Sequence, residues 1–330
     1  MRDWLKRRIL DTAALRLAAR LRGPGVAILM YHSVLPDPSV CRDSLGGIIH
    51  SEDVFRGQME ALAKHFHPVS LARVLKYLRG GETLPKRAVV VTFDDGYADN
   101  YLVAMPVLDK VGVPATFYIT VDCLESRILP WPSRLRYAFR TTKRREWVDS
   151  TPKTWSLNDR AAREQAFLAA CDEACQLSGA PQAEFVTRIE QELEACLPKE
   201  FGALMMDYEQ LRALVRHGHI VGSHTMTHPN MGYLKEHEAM CELQESKRRL
   251  EAGLGSPMRH FSYPCPALSP HWTPTTVEQC RIVGYETAVT TENGVARKGD
   301  NPLCLKRLRP TKTVEGLRWN LESALAGHTG

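Results

Sequence analysis

Seven short apolar runs recur along this chain, each closed by a polar or small residue. They are "VAILMYHSV" (26–34), "AVVVTF" (88–93), "PATFYIT" (114–120), "HIVGSH" (219–224), "RHFSYP" (259–264), "YETAVTT" (285–291) and "LCLKRLRP" (303–310). Runs this short and this continuously apolar read as strands covered on both faces, the condition of a parallel sheet. Stretches with helical period stand between most of them, at 53–66, 70–79, 99–111, 207–217, 235–253, 274–283 and 313–325. Strands alternating with helices imply parallel pairing through βα crossovers. Seven such units fit an α/β fold, a distorted (β/α) barrel of about seven parallel strands. An open doubly wound sheet is the alternative that the pattern leaves.

One region breaks the rhythm. From Val121 to about Met206 no run reads as a strand, and charge-rich helical segments such as "LNDRAAREQAFLAACDEACQ" take over. The expectation is a helical insertion, 121–206, over the mouth of a barrel domain spanning 25–330. A solvated lid is the first reading of it. Its opening, "LPWPSRLRYAFRTTKRREW" (129–147), is basic and aromatic together and also suits a platform for a phosphate-bearing or lipid-linked ligand.

The formal net charge of +5 is the charge of residues 1–22, where seven basic groups stand against Asp3 and Asp11. The balanced remainder gives no bulk-charge argument for nucleic-acid binding, and none is expected. Residues 1–24 read as a basic amphipathic helix ended by Gly23-Pro24. Peripheral contact with an anionic membrane through 1–22 and simple docking on the domain are equally consistent with that pattern. Charges interrupt every apolar stretch that could serve as a secretory signal. The cysteines number nine, an odd count without a CxxC pair, and Cys171 and Cys175 sit one helical turn apart, as on a helix face. Cytoplasmic residence, peripheral on the inner face of the membrane if 1–22 binds it, is the expectation.

The strand over 88–93 ends in two adjacent acids, Asp94 and Asp95, and then Gly96. Neighbouring side chains on a strand point to opposite faces, and two carboxylates forced together repel unless a cation lies between them. The strand over 219–224 ends in "SHTMTHP", which delivers His224 and His228. Two histidines four apart plus a carboxylate form a three-ligand set for a borderline divalent metal, Zn²⁺ above all. The second carboxylate is then free to take a proton from a water activated by that metal.

"TFDDGY" (92–97) with "SHTMTH" (223–228) resembles the polysaccharide deacetylase, or NodB-homology, family of carbohydrate esterases. "MYHSV", "GVPATFYIT", "FSYP" and "YETAVTT" match its supporting motifs, over roughly 25–120 and 205–310. The resemblance implies Asp94 as general base, Asp95, His224 and His228 as metal ligands, and hydrolysis of an N-acetyl group from an amino sugar. It also implies oxyanion or substrate contacts at Tyr263, Pro264 and Cys265, with a backbone N–H near Cys265 as donor, while Tyr97 and Trp131 are candidates to wall the sugar pocket. Two departures stand out. The arginine that orients the base in many members is missing from "FSYP", with Arg309 a weak substitute. The late histidine that serves as acid is also missing, and His32 fills the gap if the chain resembles the circularly permuted subgroup.

The expected substrate is an N-acetylated amino-sugar glycan, or a lipid-linked or nucleotide-linked precursor of surface polysaccharide or lipopolysaccharide. An amidase acting on a non-sugar C–N bond is an alternative. A membrane-associated glycan-binding protein that has lost turnover is another, favoured by the missing arginine.

Overall fold

The computed structural model describes residues 15, 17, 18, 23–265 and 267–328. The segment 1–24, expected to form the basic helix, lies largely outside the described residues.

Each apolar run of the sequence contains a strand of one barrel. In chain order these are β1 (Val26–Tyr31), β2 (Ala88–Phe93), β3 (Ala115–Ile119), β4 (Ile220–Ser223), β5 (His260–Ser262), β6 (Thr287–Asn293) and β7 (Leu305–Arg307). Each pairs in parallel with the next, from Val26↔Ala88 through Tyr31↔Phe93 between β1 and β2 to Val289↔Leu305 between β6 and β7. The ring closes just past β7: Leu308 N–H donates to Ile28 O at 2.7 Å, and Met30 N–H to Leu308 O at 3.0 Å. The open-sheet alternative is thereby excluded, because the last strand returns to the first.

Alternation along the strands splits their apolar residues between two clusters. Ala27, Leu29, Tyr31, Val89, Val91, Phe93, Phe117 and Phe261 pack outward, with helix residues such as Phe55 and Leu321. Val26, Ile28, Val90, Tyr118, Val289 and Leu305 form the inner cluster. The helix Leu71–Leu78 joins that inner cluster through Leu71, Val74 and Tyr77. Tyr77 donates its hydroxyl to Pro24 O, immediately before β1, so this helix plugs the N-terminal end of the barrel. The C-terminal end is where a site is expected, as in other barrels of this kind.

Capping signals set helix starts beside the strands. Ser51 accepts from Val54 N–H at the head of Glu52–His65, and Asp207 forms a capping box with Gln210 at the head of Tyr208–Arg216.

The insertion has a core of its own, in which Trp131, Leu135, Phe139, Phe167, Phe185 and Ile189 are buried. Of its helices Trp131–Thr141, Arg160–Ala174 and Gly179–Glu192, the first and third are clamped by a bidentate pair, Arg134 to Glu190, at 2.8 and 2.6 Å, and the first and second by Glu164, which takes Arg136 and Arg140. Cys171 and Cys175 face this core as buried free thiols. The expectation of no strand here needs correction, because Glu146–Val148 and Thr154–Ser156 pair antiparallel. That hairpin is only three residues per strand and mostly exposed, so it lacks the apolar run that marks a buried strand.

Candidate active site at the open end of the barrel

The two acids at the end of β2 share one cavity because the backbone breaks the strand rule. Asp94 keeps the inward phase of Val90 and Thr92. Asp95 takes a left-handed φ of 76°, and Gly96 follows at 90°. The alternation is reset, and both carboxylates line a cavity of about 460 Å³ at the barrel mouth. A left-handed backbone is unusual for a non-glycine residue and is found at sites where the surrounding structure holds the strain.

Asp95 meets the two histidines there. Its Oδ1 lies 3.5 Å from His224 Nε2 and 3.3 Å from His228 Nε2, and all three side chains are buried. His224 Nδ1 is 2.8 Å from Ser262 O, which fixes that nitrogen as the donor and leaves Nε2 with a lone pair. Asp95 Oδ1 is buried without a hydrogen bond, as is His228 Nδ1. Lone pairs facing one another in a dry site need a cation between them. The three ligand atoms lie within 4.8 Å of one another, so these residues fit a divalent metal ion.

The loop carrying the histidines is held from beneath. Glu242 accepts from Met226 N–H at 2.7 Å, Thr227 N–H at 3.0 Å and the Thr227 hydroxyl at 2.6 Å. His228 itself has φ 60°, with its N–H donating to Thr225 Oγ1. Trp131, a candidate pocket wall, instead donates Nε1–H to His228 O at 2.9 Å, because its ring is drawn into the insertion core.

The partner of Asp94 is Arg307, not Arg309. Arg307 Nη1 and Nη2 donate to the two Asp94 oxygens at 2.8 and 2.7 Å, and its side chain is 0% exposed. Its other contacts are Thr290 O, Thr92 Oγ1 and Ser262 Oγ. Leu305 and Arg307 share the inward phase of β7, whereas Arg309 lies past the strand end and is exposed. Burial pushes the Asp94 carboxyl up, and the Arg307 guanidinium together with His224 and His32 brings the net direction down.

His32, just past β1, lines the same cavity. Burial lowers its pKa against the opposing pull of Asp95 and Asp94. Its backbone is fixed by Asn100 Nδ2, which donates to His32 O at 2.7 Å. Asp99 takes the Ser33 hydroxyl at 2.6 Å and Val34 N–H at 2.9 Å. The residues after "TFDDG" thus anchor the turn that carries His32.

Tyr97 and Cys265 also line the cavity. Tyr97 Oη is 3.2 Å from Ser133 Oγ of the insertion, and Cys265 Sγ is 3.0 Å from His271 Nδ1. Tyr263 departs from its expected role: it follows the inward Ser262, so alternation turns its ring outward. There its hydroxyl donates to Leu303 O, and its N–H is spent on Val289 O. Pro264 is buried and lies outside the cavity lining.

Comparisons with known proteins bear on this arrangement. The polysaccharide deacetylase family profile matches residues 81–288, more than half of the chain. A deacetylase from Streptococcus pyogenes, PplD, solved with acetate, has a similar fold at a TM-score of 0.60 and 20% identity, covering 89% of this chain and 97% of that one. IcaB from Ammonifex degensii superposes at 0.58 with 23% identity, covering 92% and 97%. The poly-beta-1,6-N-acetyl-D-glucosamine N-deacetylase of Escherichia coli K12 is 44% identical over 52 residues, which is 16% of this chain and 8% of that protein's length. By the extent of the profile match, this chain belongs to the polysaccharide deacetylase family.

Proposed function

We propose that this protein is a metal-dependent hydrolase removing an N-acetyl group from an amino sugar during the making of a surface polysaccharide or lipopolysaccharide precursor. The observation that carries this reading is one cavity holding two adjacent carboxylates in different settings. One is gripped by a guanidinium, and the other faces two imidazole nitrogens. Family membership supports it, as do the names of the Escherichia coli relative and of the Streptococcus deacetylase.

Asp95, His224 and His228 would hold the metal, with Zn²⁺ the best match to a two-nitrogen, one-oxygen donor set. A cation of this kind supplies acidification of water and polarisation of the acetamide carbonyl. Asp94 stays ionised beside Arg307 and keeps free lone pairs although both its oxygens are engaged, so it takes the proton of the attacking water. A backbone N–H near Cys265 is the donor to the oxyanion. His32, on the β1 side of the cavity, gives a proton to the leaving nitrogen. The C–N bond breaks, and acetate and a free amine result. Arg307 supports turnover, since an arginine beside Asp94 stands on another strand where the missing one of "FSYP" would act.

The test is acetate release from N-acetylhexosamine substrates by the wild type with Zn²⁺, the chelated protein and Asp94→Asn. Loss on chelation and a fall of about 10²–10⁴-fold in Asp94→Asn are expected. Release that survives both treatments would overturn the assignment.

A further inference from the structure

Besides the residues already given roles, three cationic side chains line the same cavity: Arg136 from the insertion, and Arg309 and Lys312 from the segment after β7. Among the described residues, the cavity lining includes no carboxylates other than Asp94 and Asp95. Asp94 is bound by Arg307, and Asp95 faces the histidines. The three cations therefore have no counter-charge inside the cavity.

Two of them are held in place. Lys312 Nζ donates to Gly47 O at 2.9 Å and to Ile49 O, neutral carbonyls that fix the ammonium without cancelling its charge. Arg136 shares the single carboxylate of Glu164 with Arg140, at 2.7 and 2.8 Å. Gly46, at φ 64°, lets the same loop lie against Arg136, where a Cβ would come to 3.0 Å from Nε. The loop Gly46–Ile49 is thus flanked by two fixed cations. Arg309 is exposed and, among the described residues, makes no ion pair or hydrogen bond with another side chain.

Ordering long cationic side chains around a cavity costs conformational entropy and solvation. A neutral sugar returns none of the charge interaction. A ligand with two or more negative charges does: arginine grips phosphate oxygens in pairs, and lysine acts as a point charge.

We propose that Arg309, Lys312 and Arg136 bind a diphosphate attached to the amino sugar, so that the substrate is a sugar diphosphate rather than an uncharged finished polymer. A nucleotide and a polyprenyl lipid are both carriers of that group. The proposal rests on the deacetylase reading for the reaction, and not for the binding of phosphate.

The first arm titrates inorganic pyrophosphate into full-length protein by calorimetry, metal-loaded and chelator-treated, so that metal chelation is separated from binding to the mouth. Saturable binding in both states, weakened tenfold or more in Arg309→Gln and in Lys312→Gln, is expected. Arg309 has no side-chain partner among the described residues, so its variant should melt like the wild type, which keeps the arm interpretable if Lys312→Gln is unstable. The second arm compares acetate release from a nucleotide-diphospho-N-acetylhexosamine, a polyprenyl-diphospho-N-acetylhexosamine and a neutral N-acetylglucosamine oligomer. The wild type should favour a charged substrate, with the preferred one naming the carrier, and Arg309→Gln should lose that preference through KM. Equal pyrophosphate affinity in wild type and variants, or preference for the neutral oligomer, would overturn the proposal. Pyrophosphate binding that depends on Arg309, without acetate release from any substrate, would support the phosphate site and sink the deacetylase reading instead.

Discussion

At position 307 a guanidinium without contact to water balances the charge of Asp94. All of its donor directions are used, on Asp94, Ser262, Thr92 and Thr290. Removing one member of such a pair leaves the other charge buried and alone, which costs about 3–5 kcal/mol. Arg307→Met is therefore expected to lower the unfolding free energy by roughly that amount in urea titrations. Adding Asp94→Asn to Arg307→Met should recover part of the loss, since the orphaned charge is then gone. If the double variant is no more stable than Arg307→Met, charge pairing is not what Arg307 contributes. Arg307→Lys should keep the sign of the charge and lose the two-point grip, so its activity is expected to fall with little change in KM.

The loop after β4 does for the proposed metal ligands what Arg307 does for the proposed base. Thr225 and His228 both take left-handed φ values, 67° and 60°, and Glu242 and Trp131 hold the strained turn from two different elements. Supports of this kind typically change metal affinity by 10–100-fold when removed. Trp131→Phe keeps an aromatic ring in the insertion core but deletes the donor to His228 O. The expected result is about a tenfold loss of Zn²⁺ affinity in chelator competition, with the melting temperature of the chelated protein nearly unchanged. Unchanged affinity would mean that the insertion covers the site without holding it.

Over the whole molecule, stability should carry the mark of Asp99, which ties the turn after β1 to the turn after β2. Burial raises its carboxyl to about 7, against the donors Ser33, Val34 and Asn100. A folded-state pKa above the unfolded value means that the contribution is fully present below about pH 4 and lost as pH rises through about 7. Relative to Asp99→Asn, the wild type should lose roughly 1.4 kcal/mol per pH unit across that window and nothing further above it. Denaturant unfolding of both proteins at pH 5, 6, 7 and 8 checks this, and a constant difference would show that Asp99 is ionised in the fold throughout.

Much of the architecture is legible in the chain, because apolar runs of strand length covered on both faces have few ways to be buried. The seven strand positions and the helices between them follow from periodicity, which is a local property. Asp94, Asp95, His224 and His228 stand out for a related reason: each is a polar group placed directly at or just beyond the end of an apolar run. The choice of Arg307 over Arg309 and the outward turn of Tyr263 are another matter. Arg307 and Arg309 share a phase, so the choice between them depends on where β7 ends, at Arg307; the turn of Tyr263 depends on which phase faces the barrel axis, and "RHFSYP" leaves that undecided. The gathering of Arg136, Arg309 and Lys312 about one cavity is likewise invisible in a chain where they are up to 176 positions apart. Local pattern determined the elements and the ends where chemistry sits; closure of the ring between Ile28 and Leu308 decided which side chains meet, because only closure gives the barrel an inside.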